Sequence, residues 1–569
     1  MKRRNFLGAC ATVAGTMAIQ PAAGSTTNAM AGMSIGETLE ADLVVAGGGL
    51  GGIATALAAL RNGLSVIMTE ETDWIGGQLT AQGVPPDEHP WIETHGAPAS
   101  YRVFREAIRT HYKTFYPLTD AAKARPNLNP GDGAVSRLCH EPKAAFHVLE
   151  SMLAPYLSNG KLTLLTHFKI SSAEVDGKRV RSLLAKHITS TARHTLKAKH
   201  FVDATELGDL LPLTGTAYVT GTESKSETGE WHAPEKGDSS NNQSFTMCFA
   251  IDYVPGENHT IAEPRDYAFW RNHIPPLTPS WSGKLLDLNY SSPSTLQPKA
   301  LGFHPEGLAT GDKLNLWNYR RIINRHNFPE GLYKGDITIV NWPQNDYMLG
   351  NIVDTGEKEF NKHVDKAKQL SLSLLYWLQT EAPRPDGGKG WPGIRLRKDV
   401  MGTTDGLAKY PYVRESRRIR SFFTITEAHV GKEQSAANPA PKCHGGAVAF
   451  EDSVGVGYYH IDLHPSSNGN NYIDFPSVPF QIPLGALLPV EMENILPACK
   501  NIGTTHITNG CYRLHPVEWS IGESVGCLVA YAQQIGLQTR EIRENKTHLL
   551  AFQSFIRSQG IETDWPAKP

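Results

Sequence analysis

Gly47, Gly49 and Gly52 form a Gly-x-Gly-x-x-Gly run inside Gly47-Gly48-Gly49-Leu50-Gly51-Gly52. An apolar segment, 41–46, precedes the run, and an alanine-rich segment, 53–62, follows it. In such a turn the first glycine permits a tight bend. The second lets backbone approach a pyrophosphate, and the third lets helix and strand pack closely. The helix start adds unpaired N–H groups and the positive end of a dipole, both suited to a diphosphate. A second apolar run, 64–69, leads into Glu70, whose carboxylate can accept hydrogen bonds from ribose hydroxyls. Strand, turn, helix, strand and acid in this order predict a dinucleotide-binding βαβ unit.

Other residues suit proton transfer or anion recognition. Histidine is the usual proton acceptor near neutral pH, and three are singled out. His506 lies in Gly503-Thr504-Thr505-His506, and His515 lies in Arg513-Leu514-His515-Pro516-Val517. His464 closes His460-Ile461-Asp462-Leu463-His464. On a strand, His460, Asp462 and His464 share one face, as the wall of a site, as metal ligands or as an ordinary hydrogen-bonded strand. No further ligand pattern supports a metal, so none is expected. Arg414-Glu415-Ser416-Arg417-Arg418 is either a charged surface turn or a place where Arg417 grips a carboxylate in bidentate fashion. The polar and aromatic stretch 341–347 suits either a pocket lining or a core.

Beyond Glu70 the chain resembles FAD-dependent oxidoreductases of the glutathione-reductase-like fold. Gly76-Gly77-Gln78 follows the acid at the family's spacing. Phe201-Val202-Asp203-Ala204-Thr205 is similar to the second FAD signature, and Asn494 to Gly503 to the third. A helix from about residue 517, with Gly522-Glu523-Ser524-Val525-Gly526, is similar to the C-terminal flavin helix. Thr80-Ala81-Gln82-Gly83 resembles secreted bacterial members distantly related to succinate dehydrogenase and fumarate reductase flavoproteins.

The resemblance implies an α/β fold: a Rossmann-like FAD-binding domain interrupted by a long α+β substrate or cap insert. It implies FAD as cofactor. Gly77 and Gln78 belong to its site, Ile170 offers backbone to the adenine, and Ala204 and Thr205 lie near the diphosphate. Gly503, Arg513 and Val517 lie against the flavin. Many relatives of the succinate dehydrogenase branch bind FAD covalently through a histidine. The corresponding position here is near Gly77, so a non-covalent flavin is expected. The activity implied is an oxidase or dehydrogenase that takes a hydride from a small organic substrate. A fumarate-reductase-like reduction of an activated C=C bond and a non-catalytic FAD-binding scaffold are the alternatives. Oxygen, a quinone or a cytochrome remains open as the electron acceptor.

The rest of the chain must position these residues. Its 569 residues are 40% hydrophobic and 20% charged, enough to bury a sizeable core. A net charge of −2 argues against a nucleic-acid binder. Residues 1–31 read as a twin-arginine export signal through Arg3-Arg4-Asn5-Phe6-Leu7, so a periplasmic or secreted protein is expected. Residues 40–215 and 481–545 form the expected FAD-binding domain, 216–480 the insert and 546–569 a C-terminal tail. Helices are expected at 143–158, 359–381 and 517–535, and short strands across 161–204. The six cysteines beyond the signal include no Cys-x-x-Cys, which excludes zinc ribbons and common iron–sulfur sites. No membrane span is expected in the mature chain.

Overall fold

The computed structural model describes residues 36–567; residues 1–31, expected from the sequence to be an export signal, lie outside the described residues. Its central feature is a five-stranded, wholly parallel sheet. The strand order is Ile495–Pro497, His200–Asp203, Leu43–Ala46, Val66–Glu70 and Leu162–Thr166. Leu43 to Ala46 is a continuous buried apolar run, as befits an inner strand covered on both faces.

Side-chain alternation divides this sheet's two faces. Leu43, Val45 and Met68 join a core with the helices Leu50–Arg61 and His515–Ile535. Val44, Ala46 and Ile67 join a second core with Ile170, Leu183 and Leu196. That second cover is an antiparallel meander, Phe168–Asp176, Arg179–His187 and Arg193–Lys197, extended by Thr38–Glu40 in parallel. Gly177, at φ +60°, makes the turn between the first two strands of this meander.

Register brings the site together. Ala46 lies opposite both Thr69 and Asp203. The next residues, Gly47, Glu70 and Ala204, therefore emerge at one level at the carboxyl ends of three strands. Open α/β sheets bind ligands at this end.

Residues 216–480 contain many short elements around a four-stranded antiparallel sheet, ordered Arg321–Ile323, Ile337–Val340, Phe249–Tyr253 and Ile394–Leu396. The expected long helix is Glu357–Thr380. A 17-residue helix, Ala99–Phe115, was not foreseen in the sequence. Its buried face holds Tyr101, Phe104, Ile108 and Tyr112, but also Arg105 and Arg109. Both arginines pair with Glu93, and Arg105 also pairs with Glu88, which lets polar residues occupy a core-facing stripe. The segment expected as a tail instead contains the helix Lys546–Ser558, which buries Leu549, Phe552 and Ile556. All six cysteines of the described residues are free and buried.

Candidate functional site

A cavity of about 480 Å³ opens at the carboxyl end of the parallel sheet. Gly47, Gly49, Glu70, Gly77, Ile170, Ala204 and Thr205 all line it. Gly47 has φ +101°, and a Cβ there would lie 2.2 Å from the Ala204 carbonyl oxygen. A Cβ on Gly52 would lie 2.1 Å from the Gly47 carbonyl oxygen, so this glycine permits the close helix–turn contact. Glu70 accepts hydrogen bonds from the Gly48 N–H at 3.0 Å and the Thr72 N–H at 2.8 Å. Burial nevertheless pushes its carboxyl up to about 7. Gln82 also lines the cavity, and neither polar atom of its buried amide has a protein partner.

Behind the glycine turn lies a buried charge chain. Lys500 Nζ stands 2.6 Å from Glu206 and 3.2 Å from Glu518. Burial alone would lower the lysine's pKa, but the two carboxylates outweigh it and keep the ammonium protonated. Gln78 donates to Glu518 at 2.8 Å and to the Arg513 carbonyl at 3.0 Å. The Glu206 carboxylate itself faces the turn: a Cβ added to Gly49 would meet it at 3.0 Å.

A second cavity, of about 870 Å³, is walled mainly by residues of 290–474, with Asp87 and Arg513 contributing. Segments 81–87 and 410–414 supply residues to both cavities. His460, Asp462 and His464 line the second one together, as one strand face should. His464 Nδ1 lies 2.6 Å from Asp346, a buried carboxylate that also receives Arg414 at 3.0 Å and the Thr246 hydroxyl. Burial raises the Asp346 carboxyl, but Arg414 and His464 outweigh it, so it stays ionised. His464 Nε2 is 3.6 Å from Asp462, too far for a hydrogen bond. Asp462 also holds Arg513 at 3.1 Å, and His460 pairs with Asp474 at 3.1 Å.

The other residues singled out in the sequence have different settings. His506 is buried and bonded to Glu415 at 2.7 Å, beside Arg418, and lines neither cavity. His515 accepts the Asp87 N–H at Nδ1, and burial depresses its pKa to about 3, so it is neutral. Arg417 ties Asp209 to Asp354 and likewise lines neither cavity. Its neighbour Arg414 is the one on the second cavity's wall, and the 414–418 stretch is buried, not a surface turn. Gly503 packs on the insert: a Cβ there would fall 1.8 Å from Ser421 Oγ. Val517 packs against Gly457 in the strand Ser453–Gly457. Sequence inspection missed Asp87, Arg320, Glu206 and Lys500 as site residues, whereas Asp346 sits in the stretch 341–347 singled out as a pocket lining or a core. Lys500 sits inside the third quoted signature and Glu206 directly follows the second, but their pairing spans 294 positions.

The model for the family described as FAD dependent oxidoreductase matches residues 42–554. No curated protein matches the chain. Among solved structures it is similar to L-proline dehydrogenase from P. horikoshii, at 15% identity over 33% of this chain and 25% of that one, with a TM-score of 0.18. It is similar to glycerol-3-phosphate dehydrogenase from Bacillus halodurans, complexed with FAD, at 15% identity, 37% and 40% coverage and a TM-score of 0.22. It is also similar to E. coli quinol fumarate reductase FrdA, at 12% identity, 92% and 74% coverage and a TM-score of 0.29. The chain thus spans only a quarter and two fifths of the length of the first two. Likenesses this distant carry no argument about substrate. The first cavity fits FAD on its own terms: a glycine cradle without Cβ atoms, a carboxylate at the second strand's end, and an unpartnered glutamine amide on the wall. From end to end of its parallel sheet, the chain belongs to the FAD-dependent oxidoreductase family, with FAD as its cofactor.

Proposed function

We propose that this enzyme oxidises a small organic substrate in the second cavity, with a non-covalently bound FAD as hydride acceptor. One observation carries the reading: a histidine on the cavity wall, His464, is held through Nδ1 by a buried, ionised aspartate, Asp346. That bond fixes the ring and leaves Nε2 as the proton-accepting atom. Bound FAD supplies the two-electron acceptor. Gly47, Gly49 and Thr205 would hold its diphosphate, Glu70 its ribose, and the backbone of Ile170 its adenine. The first turn of the helix His515–Ile535 would offer positive dipole to the flavin, as the family resemblance implies. Tyr472 packs edge-on against the His464 ring, at 5.5 Å between ring centroids.

In this reading 40–215 and 481–545 form the FAD-binding part, and 216–480 forms the substrate part. The alternative, reduction of an activated C=C bond, needs an arginine free to anchor a carboxylate. Arg320, Arg414 and Arg513 on this wall each already face an aspartate.

Two measurements test the reading. Flavin absorbance should move to the supernatant on acid precipitation; bands left in the pellet would mean a covalent link. His464→Gln should retain FAD while anaerobic flavin reduction slows by about 10²-fold or more. An unchanged rate would remove His464 from the chemistry. We also place the mature protein in the periplasm or outside the cell. Replacing Arg3 and Arg4 together by lysine should leave it in the cytoplasm, and unimpaired export would refute the twin-arginine route.

A further inference from the structure

We infer that the second cavity takes a neutral polyhydroxylated substrate, a sugar or sugar-like polyol, and that a secondary alcohol of it is oxidised to a ketone. This rests on the oxidation reading above and adds the substrate class.

Charge is the first argument. The ionic groups of this wall come as neutral pairs: Arg320 with Asp87 at 3.3 Å, Arg414 with Asp346 at 3.0 Å, Arg513 with Asp462 at 3.1 Å and His460 with Asp474 at 3.1 Å. A carboxylate substrate would meet fixed aspartates beside every arginine. An ammonium substrate would meet fixed cations beside every aspartate. Either one must break an existing pair, and a half-broken buried pair is costly. A neutral ligand breaks none.

Hydrogen-bonding valence is the second. Six wall residues carry a buried polar atom without a partner: Arg320 Nε, Asn341 Nδ2, Trp342 Nε1, Arg414 Nε, Tyr472 OH and Arg513 Nε. All six are donors, and only the tyrosine hydroxyl can also accept. The wall aspartates contribute acceptors alongside them. A hydroxyl group gives and receives hydrogen bonds at one atom, so a polyol matches a wall that offers both.

Shape is the third. Tyr290, Tyr319, Tyr459 and Trp342 bring aromatic rings to the same cavity, which suits the C–H faces of a pyranose-like ring.

The step balances with FAD as oxidant. The carbinol C–H bond breaks and its hydride passes to FAD. The O–H proton goes to His464 Nε2. The C=O bond forms, and FAD is reduced by two electrons.

The test uses the purified holoenzyme under anaerobic conditions. Probes are glucose, xylose and cellobiose, set against lactate, succinate, benzylamine and putrescine. Flavin bleaching and the melting temperature are both read. At least one neutral sugar should bleach the flavin and raise the melting temperature, while the acids and amines do neither. Tyr319→Leu, with full flavin content, should weaken sugar binding by about tenfold or more. His464→Gln should keep the melting shift and lose the bleaching. Bleaching by an acid or amine, or no response to any neutral sugar in either readout, overturns the substrate class. A sugar that shifts melting in the wild type without bleaching supports the class and overturns the oxidation reading. Bleaching by lactate that is lost in His464→Gln does the reverse.

Discussion

Lys500 carries more of the cofactor site than its place in a signature would suggest. It is fully buried between two carboxylates, one just after the strand His200–Asp203 and one in the helix His515–Ile535. Lys500→Met would leave Glu206 and Glu518 buried without their cation, a loss on the order of 3–5 kcal/mol. We expect that variant to lose both FAD and thermal stability. Full flavin content at an unchanged melting temperature would show that the chain of charges is dispensable. Glu70 gives a pH signature. Burial lifts its carboxyl to about 7 from an ordinary 4.5. In the FAD-free protein the folded state therefore keeps a proton that the unfolded chain has already released between those values. The associated stability is complete below about pH 4.5 and is lost as pH rises through about 7, on the order of 3 kcal/mol in all. Glu70→Gln removes that loss, so its FAD-free melting temperature should fall less than wild type between about pH 5 and 8. Equal slopes would place the proton elsewhere. The glycines and Glu70 were legible in the sequence because a diphosphate turn is a local device; Ile170, Ala204 and Thr205, on distant segments that line the same cavity, were indicated only by the family resemblance. The partners of His464 were not legible as such. Asp346 lies 118 positions from it, and no short-range pattern records such a pair.

At the scale of elements, the helices Leu50–Arg61 and His515–Ile535 approach closely because glycines face each other. A Cβ on Gly522 would lie 2.0 Å from the Gly51 carbonyl oxygen, and one on Gly526 would lie 2.4 Å from the Thr55 carbonyl oxygen. Thr55 fastens the contact by donating to both the Gly51 and Gly522 carbonyls. Gly522→Ala must push the helices apart at the cradle itself. We expect a loss of about 1–3 kcal/mol in denaturant melts, together with weaker FAD retention; a neutral substitution would show that the helices can separate freely. The strands and helices of the FAD-binding part were readable because their apolar runs are continuous or periodic. The helix Ala99–Phe115 was hidden because Arg105 and Arg109 occupy its inward face. A sequence shows the arginines, not the glutamates that let them be buried there.

Across the whole molecule, the C-terminal segment packs back on the first long helix and on the insert. Gln559, just past the last helix, bonds Asn62 and Arg61 at the end of the first long helix. Gln553 bonds the backbone of Glu451 and Ser453. Trp565 is buried among His89, Trp91 and His95 and donates to the Phe480 carbonyl. A chain stopped at residue 545 should therefore aggregate or lose cooperative unfolding, and Trp565→Ala should cost about 3 kcal/mol or more. A truncated protein that melts like the full chain would make these residues the tail that their composition suggested. The sequence by itself determined the cofactor end of this protein. A βαβ unit closes within some thirty residues, and its turn, helix start and terminal acid are dictated by backbone geometry and phosphate charge. The tertiary structure decided the second cavity, the one proposed to take the substrate. There, histidine, arginine and aspartate side chains from distant segments cancel one another's charge, and burial selects which of many similar residues meet.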